Sequence, residues 1–209
     1  GDIEFKNVSF RYEGAEKDSL RSLNFKIRAG ERIALVGRNG SGKTTLVKLL
    51  LRLYDPTEGE VLLNGTSAKD YRLSSWRALF GCVFQDFKLF SLSVKENVLH
   101  RLPEDGDDER VTAALKESGA WKKIEKLDRG IETTMTREFD DEGVNLSIGE
   151  QQKVSLARIF AEKTPFVVLD EPSSALDPIA EHTMFENMIR ATEGRSVIFI
   201  SHRLSSATL

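Results

Sequence analysis

Between Arg32 and Tyr54 the chain reads RIALVGRNGSGKTTLVKLLLRLY. A short apolar, β-prone run enters a loop with glycines at 37, 40 and 42, and a helical segment from about Gly42 to Leu53 follows. No other stretch leaves the fold so little choice. Gly37 to Thr45 fits the P-loop pattern G-x-x-x-x-G-K-T, which means a strand, a backbone cradle and a helix N-terminus in that order. The glycines let the backbone wrap an anion, and the remaining positions (Arg38, Asn39, Ser41, Thr45) help to build the cradle. Lys43 is placed to neutralise β- and γ-phosphates, and Thr44 to offer a hydroxyl to Mg²⁺.

A second stretch, FVVLDEPSSALDP, supplies the acids. Its apolar strand ends in Asp170, at the carboxyl end, where ligands bind in open α/β sheets. Asp170 is expected to hold Mg²⁺ through water, and Glu171 to polarise an attacking water as general base. Standing alone, the pair could equally be two acids that merely end a strand.

The rest of the chain is read around these two motifs. Ile3, Phe5, Val8, Phe10 and Tyr12 suggest a strand with an irregularity in its middle, and Leu23, Phe25 and Ile27 a returning strand. RIALV, EVLLN, GCVF and SVIFI read as further strands, with RIALV and GCVF expected to be buried. From about Asp86 to Lys163 the pattern is mostly helical, and Pro178 to Ala191 is a helix. Ser93 with Glu96, and Ser147 with Glu150, have capping-box spacing. Strand–loop–helix alternation at both ends implies a largely parallel α/β core with a helical subdomain inserted. The net charge of −3 and the lack of a basic block argue against a nucleic-acid surface. Cys82 is the single cysteine, so no intrachain disulfide forms, which suits the cytosol. No apolar run approaches the roughly 18 residues that span a membrane, so a membrane role must come through a partner or another segment.

With these motifs in order, the chain resembles the ATP-binding domain of an ABC transporter over nearly its whole length. The family order is aromatic residue, P-loop, glutamine, signature, aspartate–glutamate, second aspartate and histidine. Here it runs Tyr12, Gly37–Thr45, Gln85, Leu146–Gln151, Asp170–Glu171, Asp177 and His202. The resemblance implies a P-loop NTPase core with a largely parallel sheet, an N-terminal antiparallel β subdomain and an inserted helical subdomain. It sets the ATP-binding core at about 1–85 and 164–209, and the helical part at about 86–163. It also implies ATP and Mg²⁺ as ligands. Tyr12 would stack on adenine, or simply be a core tyrosine. Gln85 would ligate Mg²⁺ and sense the membrane domain, and His202 would contact the γ-phosphate. Asp177 would lie at a dimer seam, be the N-cap before Pro178, or both. FQDFKLFSLSVKEN and SHRLS resemble the exporter branch. The acidic run Arg137 to Gly143 would meet transmembrane domains, or be a solvated loop. A site at the cytoplasmic face of the cell membrane follows from the same resemblance.

Two departures are visible. Members usually continue past the histidine with further strands and a tail, whereas this chain ends at Leu209, so the domain's C-terminal end is expected to be missing. The signature pattern L-S-G-G-Q is here Leu146, Ser147, Ile148, Gly149 and Glu150. In the family this segment closes over the ATP of a second ATPase domain in a head-to-tail dimer. Glu150 preserves the capping box but brings a negative charge. Ile148 restricts the backbone where it must approach phosphate. Ser147 and the Gly149 N–H remain as donors. The elements for the chain's own ATP are intact and the one offered to a partner is altered, which favours one half of an asymmetric pair.

Overall fold

The computed structural model describes residues 1–38, 40–84, 88–170 and 178–201. In chain order these form β1 (Ile3–Phe10), β2 (Leu20–Ile27), β3 (Arg32–Val36), α1 (Lys43–Leu50), β4 (Glu58–Leu63), β5 (Thr66–Ser67) and α2 (Leu73–Arg77). Next come β6 (Phe80–Val83), α3 (Val94–Leu99), α4 (Asp107–Glu117), α5 (Trp121–Ile124), α6 (Ile148–Ala161), β7 (Phe166–Asp170), α7 (Pro178–Ala191) and β8 (Ser196–Ser201). The chain divides into two compact units. One is Gly1–Phe80, Thr164–Asp170 and Gly194–Leu209; the other is Gly81–Lys163 and Glu171–Glu193.

The first unit contains an antiparallel sheet, ordered β2-β1-β4-β5. Its register pairs Ile3 with Ile27 and Phe5 with Phe25, and the two phenyl rings stack 4.6 Å apart. The irregularity expected inside β1 is a bulge between Phe5 and Val8, with Asn7 at φ 51°. Asn24 clamps the bulge, accepting from the Asn7 N–H at 2.9 Å and donating to its side-chain oxygen at 2.8 Å. Gly59 lies against it: a Cβ there would come within 2.2 Å of the Asn7 carbonyl oxygen, so only glycine fits. The bulge breaks the in–out alternation and leaves Val8, Ser9 and Phe10 all buried. Tyr12 follows just beyond the strand.

The same unit holds a second sheet, in which β3, β8 and β7 run parallel in that order. β7 is buried along its apolar length and Phe166 stacks on Phe80. β3 was expected to be buried, but it alternates between exposed and half-buried residues and Val36 is 39% exposed. Among the described residues it has a strand neighbour, β8, on one side only. α1 buries Leu46, Val47, Leu49 and Leu50 but stops at Leu50, before the expected Leu53. Arg52 takes a left-handed φ of 52° and donates to the carbonyls of Ala68 (2.6 Å) and Tyr71 (3.0 Å). Leu53 N–H returns to the Lys48 carbonyl, which seals the helix end.

The second unit is built on α6, against which α3 and α4 pack. Val94 and Val98 of α3, Val111 and Leu115 of α4, and Val154 and Ala157 of α6 share one core. Each fully buried valine or leucine contributes roughly 1.5–3 kcal/mol over an exposed one. The side chain of Asn97 is also fully buried, and holds the chain just before α3 by accepting from Phe90 N–H and donating to the carbonyls of Phe90, Leu92 and Ser93. The helical pattern breaks between Asp128 and Ser147, a stretch that includes the Arg137–Gly143 run read from the sequence as a loop. Apart from a 3-10 turn at Gly130–Glu132, that stretch is loop, pinned by isolated bridges from Ser93 to Thr134 and from Met135 to Val144.

Candidate functional site

The loop from Gly37 to Gly42 leaves the carboxyl end of β3 and enters α1, as its residues demand. Gly42 is the N-cap, at φ 90°. A Cβ there would meet the Ser19 carbonyl oxygen at 2.9 Å, so both backbone angle and space require glycine. As a cap, Gly42 offers no side-chain acceptor, and no acid stands in the first turn of α1. The helix therefore starts with N–H groups that its own side chains do not satisfy and with the positive end of its dipole uncompensated, which suits an anion. The Lys43 ammonium folds back over the loop, donating to the carbonyls of Gly37 (2.6 Å) and Arg38 (3.0 Å) and to the Ser41 hydroxyl (3.3 Å). The Ser41 N–H donates to the Arg38 carbonyl. Gly40 also has a positive φ, of 79°. Thr44 is exposed at the helix start, whereas Thr45 is buried.

Tyr12 is half-buried and its hydroxyl lies 3.2 Å from Thr45 Oγ1. Its ring meets Phe10 and Tyr54 edge-on, at 4.8 and 5.4 Å between centroids, and Lys48 Nζ sits 5.4 Å from its centre. This ties the aromatic residue directly to the second threonine of the loop, a link that sequence spacing does not reveal.

Register fixes the acid relative to the loop. Leu35 of β3 and Asp170 of β7 both align with Ile200 of the strand between them. Neighbouring strands lie about 4.8 Å apart, so the backbone at Asp170 is roughly 10 Å from the strand feeding the loop, at the same level. Asp170 is half-buried. Thr44 and Asp170 are a hydroxyl and a carboxylate at one sheet edge, a donor set that fits Mg²⁺, which takes one or two carboxylates beside substrate phosphates. Asn39, Gln85, Glu171, Asp177 and His202 lie outside the described residues.

In the second unit, Ser147 is the N-cap of α6. Its hydroxyl accepts from Glu150 N–H at 3.3 Å, and the Glu150 carboxylate accepts from Ser147 N–H at 2.9 Å, so the capping box is complete. The other carboxylate oxygen lies 3.7 Å from Lys123 Nζ. Burial raises the pKa of Glu150, but the hydrogen bonds from Ser147 and the charge of Lys123 outweigh it and hold the carboxyl below its ordinary value of 4.5. Gln151 donates to the Leu146 carbonyl at 2.8 Å. Gly149 is half-buried in the first turn, and Ile148 is 66% exposed, an apolar side chain that the unit's own core does not use. Arg158, on the same helix, donates to the Asn97 and Lys88 carbonyls, and burial pushes its pKa down to about 10. The roles of Lys123 and Arg158 were not legible in the sequence, because each depends on a contact across tens of residues.

The Arg137–Gly143 run is a tight loop. Arg137 donates to the Gly143 carbonyl at 2.8 Å, and Gly143 N–H donates to the Asp140 carbonyl. Phe139 projects from it, 89% exposed. Among the described residues no helix is long and apolar enough to cross a membrane.

The family model described as ABC transporter matches residues 20–174. An ATP-dependent lipid A-core flippase of Alcanivorax borkumensis is 39% identical over 206 residues, covering 99% of this chain and 34% of the relative. The Escherichia coli K12 protein of the same name is 37% identical, with 99% of this chain and 35% of the relative covered. A solved bacterial Atm1-family ABC exporter with ATP bound superposes with a TM-score of 0.87 at 35% identity, over 98% of this chain and 35% of that one. The chain thus spans about a third of the length of the relatives it matches.

Proposed function

Since the chain belongs to the ABC transporter family, as its ATPase domain, we propose that it binds and hydrolyses ATP to drive export of a substrate across a membrane. The observation that carries this is the open N-terminus of α1, with Lys43 at its mouth and Asp170 at the same sheet edge. Lys43 exchanges its loop carbonyls for the β- and γ-phosphates of ATP, and the α1 N–H groups take phosphate oxygens. Tyr12 presents its ring to adenine. Thr44, Asp170 and Gln85 would hold Mg²⁺, which supplies charge neutralisation on the phosphates when bound. Glu171 removes a proton from the attacking water as its oxygen bonds to the γ-phosphorus, and ADP leaves with the electrons of the broken bond. His202 contacts the γ-phosphate and Asp177 lies at the dimer seam.

The two subdomains, about 1–85 with 164–209 and about 86–163, then act as one domain on the cytoplasmic face of a membrane, joined to transmembrane domains. Closure is head-to-tail with a second ATPase domain, Ser147, Gly149 and Glu150 facing that partner's ATP. Because Ile148 and Glu150 depart from the family pattern only in the partner-facing element, we favour a heterodimer whose other half carries the L-S-G-G-Q form and lacks the equivalent of Glu171.

Calorimetry with Mg·ATP on the wild type and on Lys43→Ala tests the nucleotide site. Loss of a charge-assisted contact should lower affinity by roughly 10- to 100-fold, and equal affinity would sink the assignment. Glu171→Gln should retain binding and slow steady-state hydrolysis on the order of 10²-fold or more. Native turnover by that variant would exclude Glu171 as the base.

A further inference from the structure

Beside the start of α6 the helical unit has a cavity of about 390 Å³, in the size range of small-ligand sites. Buried Ile124 and Val154 contribute an apolar floor. The charged side chains that line it are Lys122, Lys123, Lys126, Lys153 and one acid, Glu150, an excess of three positive charges. The lysines come from two elements. Lys122 and Lys123 lie on α5, Lys126 continues its turn with an N–H donated to the Lys123 carbonyl, and Lys153 comes from α6. Lys123 pairs with Glu150, whereas Lys122, Lys126 and Lys153 form no ion pair among the described residues. Single unpaired lysines on a convex surface are ordinary. Four around one concave apolar floor repel one another and focus a positive field into the cleft.

We propose that this cavity is a second anion site, taking a small phosphorylated molecule independently of the P-loop. Several point charges on flexible stems suit a phosphate with multiple charged oxygens better than a single carboxylate. Glu150 joins the site to the cap of α6, since the same carboxylate holds Ser147 N–H and faces Lys123. An anion drawing on Lys123 is therefore felt at the start of that helix. A soluble phosphate ester and a phospholipid headgroup share this chemistry.

The test uses the full-length protein in detergent with Lys43→Ala, which weakens the P-loop site and so lowers its contribution. Calorimetry with inorganic tripolyphosphate should still read a site, and adding Lys122→Ala, Lys126→Ala and Lys153→Ala together should weaken it about tenfold or more. Glu150→Gln in the same background should tighten it by a few-fold, roughly the effect of removing one nearby like charge. Dihexanoyl phosphatidic acid against dihexanoyl phosphatidylcholine forms the second arm. Preference for the phosphatidic acid, lost in the triple variant, assigns a lipid headgroup; response to tripolyphosphate alone assigns a soluble ligand. Absence of binding to both probes, or binding that the triple variant leaves unchanged, overturns the proposal. Failure of the ATPase reading would show separately, as ATP affinity indifferent to Lys43→Ala.

Discussion

The helices α1 and α6 both open where a chain rich in small or polar residues turns helical, yet they meet their first turn in opposite ways. α1 is capped by Gly42, which has no side chain to offer, and its first turn holds no acid. α6 is capped by Ser147, and Glu150 closes the box in return. One N-terminus is left open for an outside anion. The other is largely satisfied by its own residues, with a carboxylate placed over the positive end of the dipole. The difference explains how two helix starts in one chain can have unequal claims to bind phosphate.

The largest effect should come from closing the open end. Gly42→Ala puts a Cβ at a left-handed angle, costing about 1–2 kcal/mol, and presses it on Ser19 O and Leu20 Cδ2. The loop must shift, and Mg·ATP affinity should fall on the order of 10²-fold, with a lower melting temperature. Calorimetry and thermal unfolding check both, and unchanged ATP affinity would mean that the loop geometry is not what holds phosphate.

Opening the closed end should do less. Ile148→Gly with Glu150→Gln frees the approach to α6 and removes its charge, and the 66% exposure of Ile148 means little packing is lost. In an assembly of two identical chains, steady-state ATPase should rise several-fold, because both sites carry the defect. In a heterodimer, where the repaired segment faces a site without its base, turnover should barely move. A large gain in an assembly of identical chains would refute the asymmetric pairing.

Much of this contrast is legible in the residues, because it is local. G-x-x-x-x-G-K-T dictates an open helix start, and Ser147 with Glu150 dictates a closed one, over a span of a few residues each. The strand ending in Asp170 is equally readable, since an unbroken apolar run admits few alternatives. What escapes is set by contacts between distant segments. The shortening of α1 follows from Arg52 reaching carbonyls 16 and 19 residues on. The exposure of β3 depends on sheet order, which no single strand encodes. The Lys123–Glu150 pair joins α5 to α6, and nothing in either helix's periodicity announces it.

A smaller perturbation isolates the cap. Ser147→Ala removes the acceptor for Glu150 N–H and should cost about 1 kcal/mol of stability, read by urea denaturation. The equivalent test at α1 has no counterpart, since Gly42 contributes no side-chain cap. If Ser147→Ala proved neutral, the capping box would not be what secures the α6 start.

The smallest expected effect is the pH dependence of the same cap. Glu150 is held below its ordinary 4.5 in the folded state, and so is Glu96 in the matching box of α3, where the hydrogen bonds from Ser93 do most of the lowering. A carboxyl with a depressed folded pKa binds protons more readily in the unfolded chain. Its stabilisation is therefore fully present above the unfolded value near 4.5 and drains away as pH falls through the lower folded value. Protonation also removes the charge that complements the α6 dipole and the attraction to Lys123. Glu150→Gln keeps an acceptor for Ser147 N–H but cannot titrate. Urea midpoints of wild type and Glu150→Gln should differ by a constant amount above about pH 5.5 and converge or cross below pH 4.5. A difference that stays constant down to pH 3 would show that the charge of Glu150 does not contribute to the cap, and would leave hydrogen bonding alone to distinguish α6 from α1.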